Sequence, residues 1–195
     1  MLSLLKNKKN KKLTIRGNNG CFLRPRIIPL GGRNDPVNEN GLQFYSKFLD
    51  DLHEAGIEPV VTLFHWDLPD NLVQRYGGFL NKKEFVADYV HYVRVCFEAL
   101  GSKVKHWITF NEPWCSSALG YGTGKHAPGR TSDRTKNVVG DSSTEPWVVG
   151  HSLLNAHARA VDIYRREYKE QFGGEIGITL NGEWGSLFSP STCRK

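Results

Sequence analysis

The sequence is poor in the features that mark secreted, metal-bound or membrane-spanning proteins. Its four cysteines, Cys21, Cys96, Cys115 and Cys193, are widely spaced and form no Cys-x-x-Cys pair, which argues against a zinc ribbon or a disulfide framework and for reduced thiols in a cytoplasmic protein. No Asn-x-Ser/Thr acceptor occurs, in keeping with that location. No apolar run approaches the length of a membrane span. Met1–Leu5 is too short for a signal-peptide core, and its basic residues follow the apolar ones. His151 and His157 are six residues apart, on different faces of a helix, with no acidic cluster beside them, so neither a metal nor another cofactor is expected. No membrane partner is expected either.

Acidic residues are missing from the first 33 positions, which hold nine lysines and arginines. The remaining chain carries 17 basic against 20 acidic residues, so the net charge of +6 belongs to this leader. A lysine run of this kind reads as a solvated tail. A nucleic-acid partner is not expected, because its only signal lies in the first 12 residues. Residues 1–22 show no periodicity and are expected to be disordered, leaving 23–195 as one folded domain.

Beyond the leader, helical and strand-like patterns alternate. Gly41–Ala55 carries Tyr45, Phe48, Leu49 and Leu52 on one helical face, with Gly56 placed to end it. Pro59–Phe64 reads as a buried strand with His65 at its end. Glu84–Leu100 is a second helix, striped by Val86, Tyr89, Val93, Phe97 and Leu100. After a Gly/Ser/Thr-rich loop, Thr144 is placed to cap a third helix with Pro146 in its first turn and Trp147, His151, Leu154, Ala158 and Val161 along its apolar side. Glu175–Leu180 is a last strand. Such alternation predicts an α/β protein with a parallel sheet and right-handed crossovers.

Between the second and third helices lies Trp107-Ile108-Thr109-Phe110-Asn111-Glu112-Pro113-Trp114. Its first four residues suit a strand buried on both faces, and a turn at Pro113 leaves Asn111 and Glu112 at the strand's C-terminal end. The stretch resembles the Thr-Phe-Asn-Glu-Pro acid/base motif of the family 1 glycoside hydrolases, the β-glucosidase family. Phe64-His65-Trp66-Asp67-Leu68-Pro69 before it, and Tyr121–Gly124 and His126–Gly129 after it, match the family as well, with wording closest to fungal intracellular members.

The resemblance implies a (β/α)8 TIM barrel, whose active site lies at the C-terminal ends of its strands. A whole barrel needs about 250 residues, so the expectation is a partial barrel of about four parallel strands with covering helices, strands two to five of eight. The family's second strand reads roughly Ser-x-Ser-Trp-Ser-Arg-Ile-x-Pro where this chain has Cys21-Phe22-Leu23-Arg24-Pro25-Arg26-Ile27-Ile28-Pro29. Arg24 stands at the tryptophan, and Pro25 removes a ladder donor from an interior strand.

By the same resemblance the substrate is a β-linked glucoside or cello-oligosaccharide. Glu112 is the acid/base, His65 and Asn111 contact the glycone, Trp66 belongs to the same substrate-binding set and packs behind His65, and Trp114 and Leu119 line the aglycone entrance. The family's nucleophile, a Glu on strand seven, is not expected in this chain. Glu183, in Asn181-Gly182-Glu183-Trp184, has the wrong residue order to replace it. The alternative to a β-glucosidase-type hydrolase is therefore a catalytically inactive remnant, binding sugar at most. Self-association through exposed barrel edges is the other expected contact.

Overall fold

A computed structural model of the protein describes residues 12–14, 22 and 24–182; Cys21, Cys193, Glu183 and Trp184 lie outside these. Four parallel strands form one sheet in sequence order: β1 (Lys12–Thr14), β2 (Glu58–Thr62), β3 (His106–Asn111) and β4 (Glu175–Thr179). Between β1 and β2 come the short α1 (Arg24–Ile27) and α2 (Glu39–Glu54). Next, α3 (Asp70–Tyr76) and α4 (Lys82–Leu100) join β2 to β3. The last crossover holds α5 (Glu145–Ile163) and α6 (Lys169–Phe172), joined through a π-helical turn at Tyr164–Tyr168. The sheet is parallel throughout, with helices in its crossovers, as the alternating pattern predicts.

The core lies between sheet and helices and is largely aromatic. Trp107 and Phe110 of β3 pack against Phe97 and Tyr89 of α4, with ring centroids 5.2 and 4.4 Å apart. Tyr89 and Tyr92 are fully buried, and their hydroxyls donate to the carbonyls of Thr109 (2.6 Å) and Leu63 (2.9 Å). Burial pushes both phenols well above their ordinary range, so they remain donors. Each satisfies a carbonyl just where the ladder gives way to a functional turn. The buried Cys96 thiol is pushed up to about 12 by desolvation, an inert packing group. Gly56 ends α2 at φ 68°, a conformation glycine adopts without a Cβ clash.

Three expectations are corrected. Part of the leader, Lys12–Thr14, is a strand paired with Glu58–Val60, because an open parallel edge offers N–H and C=O groups that even a lysine-bearing segment can satisfy. The family's strand region instead holds the helical turn α1. Pro25, unable to donate to a ladder, is at home in a helix's first turn. Thr144 does not cap α5 through its side chain; its hydroxyl donates to Asp141 Oδ2 at 2.8 Å.

The expected inner stripe of α5 is also reversed. Val149, Ser152, Leu153, Ala156, Ala160 and Ile163 face the core, while Trp147 and Leu154 are 78% and 57% exposed. The helix is apolar on two sides, so periodicity alone cannot say which side packs on α4 and β3.

Candidate active site

The site is assembled from the C-terminal ends of β2, β3 and β4. Beyond β2 the Phe64 carbonyl accepts from the Asn111 N–H (2.9 Å), and Leu63 N–H donates to Ile108 (2.8 Å), so the two strand ends stay in step. On the other side the β3–β4 register slips between Ile108 and Asn111. Such a bulge re-aims the residues after it: Asn111 falls opposite Thr179, and Glu112 N–H donates to the Thr179 carbonyl at 3.0 Å. The Thr179 hydroxyl donates to Asn111 Oδ1 at 3.1 Å. That orients the amide, leaving its N–H donors for another partner.

Two residues at these strand ends have left-handed backbones without being glycine: Trp66 at φ 66° and Glu112 at φ 45°. Each such conformation costs about 1–3 kcal/mol and persists where surrounding contacts enforce it, most often at active sites. Trp66 is fixed by its indole N–H, which donates to the Asn111 carbonyl at 3.0 Å. Its ring lies 5.0 Å from His65 and 5.4 Å from His126. Glu112 is followed directly by the turn into a π-helical segment, Cys115–Leu119. The Cys115 thiol donates to Glu112 Oε2 at 3.5 Å and is raised by burial and then by the adjacent carboxylate.

Asp67 holds the β2 turn together from within. Its two oxygens accept from the backbone N–H groups of His65 (2.9 Å) and Arg24 (2.8 Å). Burial raises its carboxyl above the ordinary range, and those hydrogen bonds oppose the shift. Both oxygens are engaged, which makes it a structural acid. The His65 imidazole is shifted down by burial, against the pull of Asp67 and Glu112, so near neutral pH it is an uncharged ring beside the carboxyl.

His65, Trp66, Asn111 and Glu112 are thus brought together. Trp114 and Leu119 are placed on the turn after Glu112, Trp114 55% exposed and Leu119 half-buried. Pattern reading missed Thr179 and the ring contact of His126. A parallel register that puts the end of β4 beside the end of β3 was the available signal for Thr179. No group of His, Cys, Asp and Glu able to hold a metal occurs among the described residues.

The model of glycosyl hydrolase family 1 matches residues 21–195. The chain belongs to this family. It is 63% identical over 166 residues to beta-glucosidase 1B of Phanerodontia chrysosporium, across 85% of this chain and 31% of that protein. A GH1 beta-glucosidase of the fungus Humicola insolens, solved in complex with glucose, superposes with a TM-score of 0.84 at 60% identity, covering 89% of this chain and 35% of that one. The beta-glucosidase of Trichoderma harzianum gives 0.81 at 52%, covering 93% and 35%. The chain therefore spans about a third of the length of these family 1 relatives. The α/β arc is the corresponding part of their TIM-barrel fold.

Proposed function

We propose that this family 1 chain carries the acid/base and glycone-binding part of a retaining β-glucosidase site, acting on β-linked glucosides or cello-oligosaccharides. The observation that carries the reading is Glu112 at the end of β3, held on strained backbone beside Asn111 and beside His65 and Trp66 from β2. In this scheme the Glu112 carboxyl gives its proton to the glycosidic oxygen as the bond to the anomeric carbon breaks. A second carboxylate bonds to that carbon, and Glu112 then takes a proton from the water that releases the sugar. Asn111 N–H groups and the neutral His65 ring hydrogen-bond the glycone. Trp66 walls it, and Trp114 and Leu119 flank the leaving group. A cytoplasmic location belongs to the same reading and rests on the sparse, widely spaced cysteines.

Retention needs the two carboxyl groups about 5–5.5 Å apart across the sugar. Asp67 is the carboxyl on the adjacent β2 turn, and both its oxygens are committed to backbone N–H groups. The 195-residue chain is therefore expected to show no turnover of an aryl β-glucoside. The same residues 24–182, grafted in place of the matching segment of the Phanerodontia chrysosporium relative, are expected to give an active enzyme. Turnover by the isolated chain that Glu112→Gln abolishes would overturn the first expectation. A folded but inactive graft would favour a remnant that binds sugar at most.

The outer face of α5 and β4, the edge strand among the described residues, are further proposed to drive self-association, through Trp147, Leu154 and Leu180, the last 73% exposed. Sedimentation velocity is expected to show concentration-dependent assembly that Trp147→Ser with Leu154→Ser reduces; an unchanged distribution would sink the idea.

A further inference from the structure

A cavity of about 320 Å³, with Trp66 in its wall, opens between α3 and the segment 116–128. Phe64, Trp66, Leu68, Val73 and Phe79 supply its apolar walls, with the Phe64 and Phe79 rings edge-to-face at 5.7 Å. Two hydroxyls interrupt that lining. Tyr121 and Ser116 are only 1% and 6% exposed as residues, and both line the cavity. Neither hydroxyl has a hydrogen-bond partner among the described residues, and neither oxygen is sealed inside the protein. Each oxygen is therefore within reach of solvent or of an occupant. A hydroxyl set in a mainly apolar lining favours an occupant that can hydrogen-bond it.

We propose that this cavity is a binding site for a small neutral aromatic alcohol, a phenol, whose ring fills the apolar space and whose hydroxyl pairs with Tyr121 and Ser116. Size agrees: a dry apolar cavity of about 150 Å³ holds benzene, so this one takes a substituted single ring. Burial raises the Tyr121 phenol, which keeps it a donor near neutral pH. An anion is disfavoured, since the lining contains no lysine or arginine and includes the carboxylate of Asp70. A sugar would bring several hydroxyls against walls that are mainly apolar and aromatic. The site needs no catalysis by Glu112, but it shares a wall with the strand-end cluster: the Trp66 indole N–H is bonded to Asn111, so an occupant is felt there.

The test is titration of the 195-residue chain with phenol, with toluene and with glucose, following indole N–H resonances by NMR and assigning Trp66 with Trp66→Phe. Phenol is expected to move the Trp66 signal saturably. Tyr121→Phe and Ser116→Ala are each expected to weaken phenol roughly two- to tenfold, the equivalent of one hydrogen bond, while leaving toluene unchanged. Both variants preserve side-chain shape, and either alone suffices if the other does not fold. No saturable response to phenol, equal losses for phenol and toluene, or a glucose response with the same hydroxyl dependence would each overturn the proposal.

Discussion

In the grafted full-length barrel, Glu112→Gln is expected to slow glycosylation by cello-oligosaccharides and alkyl β-glucosides by about 10²–10⁴-fold, the usual worth of a positioned general acid. Such alcohols leave poorly without a proton, and glutamine can occupy the same space without supplying one. Aryl β-glucosides whose phenols are strongly acidic are expected to lose far less in that step, because their oxygen departs as the anion. Single-turnover rates on the two substrate classes separate the proton from the binding. Glutamine retains a polar contact to a ligand, so substrate affinity moves little. Equal losses on both classes would assign Glu112 a positioning duty and not proton donation.

The second large effect concerns stability. Arg24 is fully buried. Its Nη2 donates to the Gly31 carbonyl at 2.5 Å, and its guanidinium carbon lies 5.5 Å from the centre of the Tyr92 ring. Its Nε and Nη1 are buried without a partner among the described residues. Burial lowers its pKa despite the raising influence of Asp88 and the nearby tyrosines, the mark of a charge held where water would be preferred. Replacing a poorly compensated buried ion with an apolar side chain is commonly neutral or stabilising by about 1–4 kcal/mol. Arg24→Trp, the residue at this place in the family pattern, is expected to stabilise by about 2 kcal/mol, or roughly 4–8 °C in Tm for a chain of this size. Arg24→Met separates loss of charge from gain of ring. Thermal and urea unfolding of the three chains decide the matter. Destabilisation by both substitutions would mean that the guanidinium is satisfied where it lies.

Much of this architecture is legible in the chain because burial leaves a pattern. Val60, Val61, Trp107, Ile108, Phe110 and Ile176 announce three strands, and the stripe from Tyr89 to Leu100 announces α4. Where a pattern is symmetric or absent, legibility fails. Apolar side chains on two sides of α5 left its orientation open. Lys12–Thr14 has no strand signature, because its pairing comes from the edge of β2. The site divides the same way. Two contiguous motifs point to His65-Trp66 and Asn111-Glu112, and the ends of adjacent parallel strands bring the two pairs together. Thr179 reaches Asn111 only through a one-residue slip between β3 and β4, and His126 reaches Trp66 only through the course of its loop. Both depend on register and path, which local composition does not encode. Arg24 is the clearest local conflict: a charged residue in a sequence context that elsewhere supplies an aromatic one.

The backbone at Glu112 sets what the fold prefers against the acid/base role proposed for this residue. At φ 45° the position favours glycine or asparagine over any longer side chain. Glu112→Gly and Glu112→Ala remove the same carboxyl, yet glycine is expected to be the more stable by about 1 kcal/mol, read as a higher urea midpoint. The reverse order would show that side-chain contacts outweigh the backbone there. A lineage no longer selected for glycoside cleavage would meet no barrier in folding energy to losing this acid. Position 112 would be among the first to drift, and toward glycine, the reverse of what is expected at a core position.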